Sequence, residues 1–323
     1  MKFQGASLAS AVALIFVAAG CSGSGGGAGL PAPEKPNIVV DAFPAIDSAG
    51  LYVAQMDHLF AAQGLNVTIE TAQTTQTEID GQVQGRYDIT TGDYVTYINN
   101  ELTGRAKLRI VVKASFLQPN VLTLLVRSGS SITSAGELRD KSISINAPDD
   151  IGTLLVDSLL VEHGIPPKDV KFDSNVAFPA VAASLVGDKI SAPFAPEPFV
   201  SLDEQKHGIQ ELADLDQGST VDFPIQGYAV TQAWADKYPH TLAAFLRALS
   251  QGQEIADTDR TAVELALGKY LQISRQTAAF LSLPSFPTGV DPARLQRVVS
   301  AMLRFGLLPR SDGSFSITSM VGA

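Results

Sequence analysis

Cysteine is almost missing from this chain: Cys21 is the only one in 323 residues. A lone thiol has no partner within the chain, so no internal disulfide staples the fold and stability must come from packing and hydrogen bonding. Histidine is nearly as scarce. His58, His163, His207 and His240 are scattered and form no metal-ligand spacing such as H-E-x-x-H. No G-x-S-x-G elbow announces a nucleophilic serine. Basic residues are outnumbered, 23 against 33 acids for a net charge of −10. That balance excludes a body built to neutralise nucleic-acid phosphates and does not suit adhesion to anionic lipid.

What is present begins with the surroundings of Cys21. Lys2 precedes an almost wholly apolar run from Leu8 to Ala19. The run is shorter than the roughly 20 residues a spanning helix needs and suits the core of a signal peptide. Ala18, Ala19 and Gly20 lead directly into the cysteine, a pattern that resembles the bacterial lipoprotein signal. The resemblance implies cleavage after residue 20, acylation of Cys21, and a protein held on the outer face of the cell membrane. The other reading is a plain secreted protein with an incidental thiol, which an exposed, oxidisable and unpaired cysteine disfavours. Acyl chains contribute roughly 0.8 kcal/mol per buried methylene, and more than one chain is needed for stable anchoring. Residues 22–36, "SGSGGGAGLPAPEKP", pass from a flexible glycine half to a stiffer proline half. They would reach on the order of 20 Å as a coil. The glycines follow no strand and open no helix, so they are a tether and not a phosphate loop.

The remaining residues alternate strand and helix patterns. "NIVVDA" (37–42), "LNVTIE", "YDITTGD" and "LRIVVKAS" (108–115) read as strands, the third ending in a turn. Residues 48–63 place Tyr52, Val53, Met56, Leu59 and Phe60 at helical spacing before Gly64, and 74–84 form a weaker helix. A second series follows: short helix "SAGELRD", strand "KSISINA", helix "DIGTLLVDSLLVEHGI", strand "DVKFDS", helix "FPAVAASLVGD", strand "KISAPFA" and helix "EPFVSLDEQKHG". The strand "GYAVT" from Gly227 then leads into helices, including 239–255 and 291–305. Repeated strand–helix–strand units imply an α/β fold with doubly wound, mainly parallel sheets. The length and the two series predict two lobes, 37–120 with 227–323 and 121–226. They are joined by crossings near 118–122 and 224–227.

In order along the chain, "GLYVAQMDHLFAAQGLNVTIE", "GQVQGRYDITTGDY", "LRDKSISINAPDDIGTLLVDSLLVEHGIPPKDVKF" and "AASLVGDKISAPFAPEPFVSLDEQKHG" resemble one family. It is the solute-binding proteins of ABC importers for aliphatic sulfonates, taurine, nitrate and thiamine-pyrimidine precursors. The likeness runs from Asn37 to about Leu308. It implies a periplasmic-binding-protein-like type II fold, a small ligand enclosed between the lobes, and delivery to a permease with a cytoplasmic ATPase. The scattered histidines and the missing serine elbow lead us to expect no enzyme activity, cofactor or metal, and a monomer is expected. In open parallel sheets ligands sit beyond the carboxyl ends of strands, where helix N-termini present free N–H groups. That principle points to 43–48, 90–94, 115–118, 148–153 and 195–199, and the resemblance lands on the same segments.

The candidate ligand residues are Phe43, Asp47, Ser48, Tyr52, Thr91, Gly92, Asp93, Tyr94, Ser115, Phe116, Asp150, Gly152, Thr153, Glu197 and Tyr228. Each has a plainer reading. Asp47, Ser48 and Asp149 or Asp150 are capping types, and capping explains Glu197 as well as ligand contact does. Thr90 and Thr91 suit a turn, while Phe43, Phe116 and Phe199 suit a core. Tyr52, Tyr94 and Tyr228 offer a flat face and a hydroxyl for stacking, and Trp234 reads as packing. The five segments carry Asp47, Asp93, Asp149, Asp150 and Glu197 but no lysine or arginine. Two like charges 4 Å apart repel by roughly 4 kcal/mol at an effective dielectric of 20, so an enclosed anion would be opposed. A nitrogen-bearing solute such as an aminopyrimidine fits that wall better than the alternative, a sulfonate, taurine or nitrate. An exported enzyme and a sensor that acts on a membrane receptor are the readings of other classes.

Overall fold

The alternation of strand and helix patterns resolves into two sheet regions. The computed structural model describes residues 30–72, 74–187, 189–309 and 313–322. Cys21, the signal segment and most of the tether lie outside the described residues. Residues Ala32–Ala323 form one compact unit. The strands are β1 Asn37–Ala42, β2 Asn66–Glu70, β3 Ile89–Asp93, β4 Leu108–Phe116, β5 Leu122–Arg127, β6 Ser142–Ser144, β7 Lys171–Asp173, β8 Phe194–Pro196, β9 Ile209–Asp214 and β10 Pro224–Thr231. The first seven α-helices are α1 Ala49–Met56, α2 Leu59–Ala62, α3 Thr75–Val83, α4 Tyr94–Leu102, α5 Ile151–Glu162, α6 Val181–Val186 and α7 Phe199–His207. After β10 come α8 Gln232–Lys237, α9 Pro239–Thr258, α10 Arg260–Tyr270, α11 Arg275–Phe280 and α12 Pro292–Phe305. No helix among the described residues is long and apolar enough to cross a membrane.

The first sheet has the order β2-β1-β3-β10-β4. β1 pairs in parallel with β2 and β3, and β10 runs antiparallel to both β3 and β4. The second region holds β8-β5-β9, with β5 antiparallel to both neighbours, and a parallel β6-β7 pair. Antiparallel partners therefore interrupt the expected parallel order. The reason is topological: β10 returns from the second region and enters between β3 and β4 from the opposite end. Residues 215–223 join β9 to β10, and 117–121 join β4 to β5.

Side-chain alternation along each strand fixes the layers. Ile38, Val40 and Ala42 of β1 are buried in one cluster with Leu51 and Ala54 of α1, Phe60 of α2, and Phe245 and Leu249 of α9. Leu122, Leu124 and Val126 of β5 join Leu154 and Leu155 of α5 in a core that continues to Tyr94 and Ile98 of α4 and Val299 and Met302 of α12. Leu125, on the other face of β5, packs with Val181 and Leu185 of α6 and Val200 of α7. Helices α1 and α9 touch backbone to backbone. A Cβ on Gly252 would stand 2.4 Å from the carbonyl oxygen of Gly50 and 2.7 Å from the Ala54 Cβ. Only glycine permits that approach.

Several elements differ from the sequence expectation. The turn expected at Thr91–Asp93 is the end of β3, and residues 94–102 form α4, which the sequence reading did not name; Asp93 caps it by accepting a bond from the Thr96 N–H at 2.9 Å. The 48–63 helix breaks at His58, whose φ of 57° is left-handed, and separates α1 from α2. β9 at 209–214 carries no alternation strong enough to announce it, and of "KISAPFA" only Phe194 and Ala195 enter the sheet, where β8 ends one residue later at Pro196.

Candidate functional site

The carboxyl end of β1 runs through Phe43 and Ala45 into a 3-10 turn at Ile46–Ser48. Opposite it, α5 opens at Ile151 behind its cap, Asp150, whose carboxylate accepts from Thr153 N–H at 3.0 Å and Ala147 N–H at 3.1 Å. Between these ends lies a cavity of ≈ 50 Å³. Its wall combines Phe43, Asp47, Thr75, Asp93, Ile225 and Gln226 from the first-sheet side with Asn146, Asp150, Phe178 and Phe194 from the second. The volume has room for a few waters, so a drug-sized solute enters only if the walls move apart. A neighbouring groove of ≈ 480 Å³ shares Thr75, Asp93, Asn146 and Asp150 and extends along Thr96, Asn99 and Asn100 to Asp149.

A ring contact and a hydrogen bond join the walls. The ring of Phe43 meets that of Phe178 edge-on at 5.9 Å. Asn99 Nδ2 donates to the Asp149 carbonyl at 3.4 Å. On the first-sheet side Asp93 accepts from the Thr96 N–H at 2.9 Å and hydroxyl at 2.8 Å, on the helix it caps. Phe178 also contacts Phe194 at 5.8 Å and Phe199 at 5.9 Å, so an aromatic cluster forms much of the second wall.

Among the described residues the wall carries three carboxylates, Asp47, Asp93 and Asp150, each no more than 4% exposed, and no lysine, arginine or histidine. Burial raises the pKa of all three. For Asp47 it is opposed by the Ser115 hydroxyl, which donates at 2.5 Å. For Asp150, burial and then the charge of Asp93 push the group up to about 7. The Gln226 Oε1 is sealed from solvent with no hydrogen-bond donor. It sits beside Asp93 in the β10–β3 register, at a point where the β10–β4 pairing shifts.

A family model described as NMT1/THI5 like matches residues 45–259, about two thirds of the chain. The chain belongs to the NMT1/THI5-like family. Solved structures with the same fold as this NMT1/THI5-like chain are distant in sequence. The ligand-binding component of an ABC-type import system from Staphylococcus aureus, solved with zinc bound, is 15% identical with a TM-score of 0.75, covering 88% of this chain and 96% of that one. The periplasmic nitrate-binding protein NrtA from Synechocystis PCC 6803 is 15% identical with a TM-score of 0.74, covering 88% and 85%. The periplasmic aliphatic sulphonate binding protein SsuA from Escherichia coli is 14% identical with a TM-score of 0.71, covering 89% and 92%. No curated protein matches the chain. The fold is thus the type II periplasmic-binding-protein fold.

Of the candidates read from the sequence, this NMT1/THI5-like fold brings Phe43, Asp47, Asp93 and Asp150 onto the cavity wall. Ser115 stands directly behind Asp47, and Thr153 behind Asp150. Ser48 donates to the Phe43 carbonyl at 2.8 Å and shapes the turn. Gly92 gives close passage to Thr75 and the Tyr97 hydroxyl, and Gly152 to the Phe194 ring. The remaining candidates face elsewhere. Tyr52 stacks on Tyr270 at 3.9 Å, and the Tyr270 hydroxyl donates to the Ala45 carbonyl at 2.9 Å, so the pair braces the β1 loop from behind. Thr91 and Tyr228 are buried within the first sheet, and the Tyr94 ring packs over Gly227. Phe116 is covered by the Arg294 guanidinium at 4.1 Å. Glu197 accepts from Ser201 N–H and hydroxyl and from Ser282 N–H, so it caps α7 and straps the second region to the segment after α11.

The aromatic faces on the wall are therefore phenylalanines, not the tyrosines expected to stack. Phe178, Phe194, Thr75, Asn146 and Gln226 were absent from the sequence expectation. Phe178 opens a helix before Pro179 and Thr75 opens α3, so both stand at helix starts of the kind that marked Asp150. Gln226 had no such signal, since the β10 bulge that places it is a property of pairing. No group of three or more His, Cys, Asp and Glu residues among the described residues can hold a metal.

Proposed function

We propose that this chain is an extracytoplasmic solute-binding protein that captures a small nitrogen-bearing solute, such as a thiamine pyrimidine precursor, and delivers it to an ABC permease and its ATPase. The observation that carries the reading is a cavity between two sheet regions walled by three carboxylates and phenylalanine faces, with no basic side chain among the described residues. Amino and ring N–H groups donate to carboxylates, and a flat heterocycle stacks on phenyl rings. The family and the fold shared with import-system binding proteins support the transport role. Residues 37–120 with 227–323 and 121–226 act as two lobes that part to admit ligand and shut on it. The acylated Cys21 and the tether hold the body on the membrane.

A sulfonate, taurine or nitrate is the second reading, favoured by the helix N-termini of α4 and α5 at the cavity; Asp93 and Asp150 already cap both. Titration calorimetry with taurine, an alkanesulfonate and hydroxymethyl- or formylaminopyrimidine separates the two. Micromolar or tighter binding of a pyrimidine is expected, and binding of taurine alone refutes the proposal. Mass-spectrometric detection of chemical change in the bound solute would overturn the non-enzymatic reading.

A further inference from the structure

Each carboxylate on the cavity wall is already bonded by its own loop or helix. Asp47 accepts from the Ser115 hydroxyl at 2.5 Å. Asp93 accepts from the Thr96 N–H at 2.9 Å and hydroxyl at 2.8 Å, and Asp150 from the N–H groups of Thr153 at 3.0 Å and Ala147 at 3.1 Å. Gln226 is different. It lines the same cavity, yet its Oε1 is sealed from solvent and accepts from no described residue. The rings of Phe43, Phe178 and Phe194 stand on the wall with it. We propose that the Gln226 carboxamide is the specificity-determining group of this site: it reads the edge of a flat, uncharged heterocycle on which an amino group stands beside a ring nitrogen. This deepens the function proposed above and rests on it.

The backbone makes this amide a fixed reader. Gln226 pairs with Asp93 of β3 on one side and Ser115 of β4 on the other, and the β10–β4 register shifts immediately before and after it. The next residue, Gly227, lies against the Tyr94 ring, where an added Cβ would stand 2.6 Å from Cε1. Held between two strands and against that ring, β10 offers the amide from a rigid base. A carboxamide carries an acceptor and a donor side by side. Set against an amino group and the adjacent ring nitrogen it makes two parallel hydrogen bonds, the geometry in which glutamine reads adenine. An oxyanion brings acceptors only and an alkylammonium donors only, so each leaves half of the amide unmet, and a buried polar group left unmet is costly. Other groups on the wall suit the same mixed edge. The Thr75 oxygen accepts from the Asp93 N–H at 3.1 Å, which leaves its hydrogen to donate, and Asn146 adds a second amide. The carboxylates keep lone pairs for further N–H groups of the solute, while the choice between solutes falls to Gln226.

The test is a cycle of two probes and two proteins, read by titration calorimetry on the full chain. The probes are 4-amino-5-hydroxymethyl-2-methylpyrimidine and the analogue with a methyl in place of the 4-amino group. The parent protein is expected to bind the amino probe at least about tenfold tighter than the methyl one. Gln226→Met keeps the length of the side chain and removes the amide. It should bind the amino probe at least about fivefold more weakly than the parent and prefer it by no more than about twofold, at an unchanged urea midpoint. Gln226→Asn, which keeps an amide but draws it back by one carbon, should lose the preference too and serves where methionine perturbs folding. Equal binding of the two probes by the parent overturns the proposal whatever the variants do. Retention of the full preference by the folded variants also overturns it, since the amino group is then read elsewhere. Both results leave a pyrimidine in the cleft and the function above intact, whereas binding of taurine alone sinks both.

Discussion

Gly252→Ala and Gly268→Ala make the same chemical change in two neighbouring helices and should move stability in opposite directions. In each, alanine is favoured over glycine by about 0.8–1 kcal/mol of intrinsic helix propensity. At Gly268 the new methyl meets only the Ile273 carbonyl oxygen at 3.5 Å, an ordinary contact, so most of that gain should survive. At Gly252 the methyl would lie 2.4 Å from the Gly50 carbonyl oxygen and 2.7 Å from the Ala54 Cβ. These neighbours are backbone and a methyl of α1, with no flexible end to swing away, so α1 and α9 must separate by about 1 Å. Overpacking of this kind costs about 1–3 kcal/mol and loosens the layer that holds Leu51, Phe245 and Leu249. The expected net effects are a gain of ~0.5–1 kcal/mol for Gly268→Ala and a loss of ~1–2 kcal/mol for Gly252→Ala. Urea unfolding followed by circular dichroism reads both, with the midpoint moving at constant slope. A Gly252→Ala protein as stable as Gly268→Ala would refute the claim that α1 and α9 are in backbone contact.

Three further outcomes follow from particular contacts. Phe178→Ala removes the ring that joins Phe43, Phe194 and Phe199, and should weaken binding of an aromatic solute about two- to tenfold, measured by calorimetry. Asp157 on α5 is pushed to about 7 by burial and by Asp149. A raised carboxyl pKa gives stability that is present below the unfolded value and lost as pH rises through the folded one. Asp157→Asn should therefore match the parent near pH 4 and exceed it by ~2–4 kcal/mol at pH 8, and a pH-independent difference in urea midpoints contradicts this. Glu34 has the opposite sign: burial opposes ionisation, but the His240 and Thr241 N–H groups and the Thr241 hydroxyl outweigh it and hold the carboxyl down to about 2. Glu34→Ala should lose about 1 kcal/mol at pH 7 by uncapping α9, the deficit fading as pH falls from 4 to 2; equal melting temperatures at pH 7 would count against the cap.

Sequence periodicity settled which residues form most elements, because burial on one face of a strand or helix writes a period of 2 or 3.6 into the chain. β1, β2, β3 and α5 are where those periods put them, and Gly64, Gly164 and Gly208 end helical segments in the left-handed conformation that glycine tolerates. Composition alone also set the sign of the site, since acids populate the loops after the strands and no base does. Three-dimensional pairing decided the rest. Whether an aromatic meets ligand space or core depends on which helix lies behind it, so Tyr52 went to Tyr270 while Phe43 and Phe178 went to the cavity. Asp93 and Asp150, 57 residues apart, each look like a helix cap in sequence. They come to line one cavity only because the chain crosses to a second sheet and back, and apposition of two helix starts is a property of that crossing, which no local pattern records.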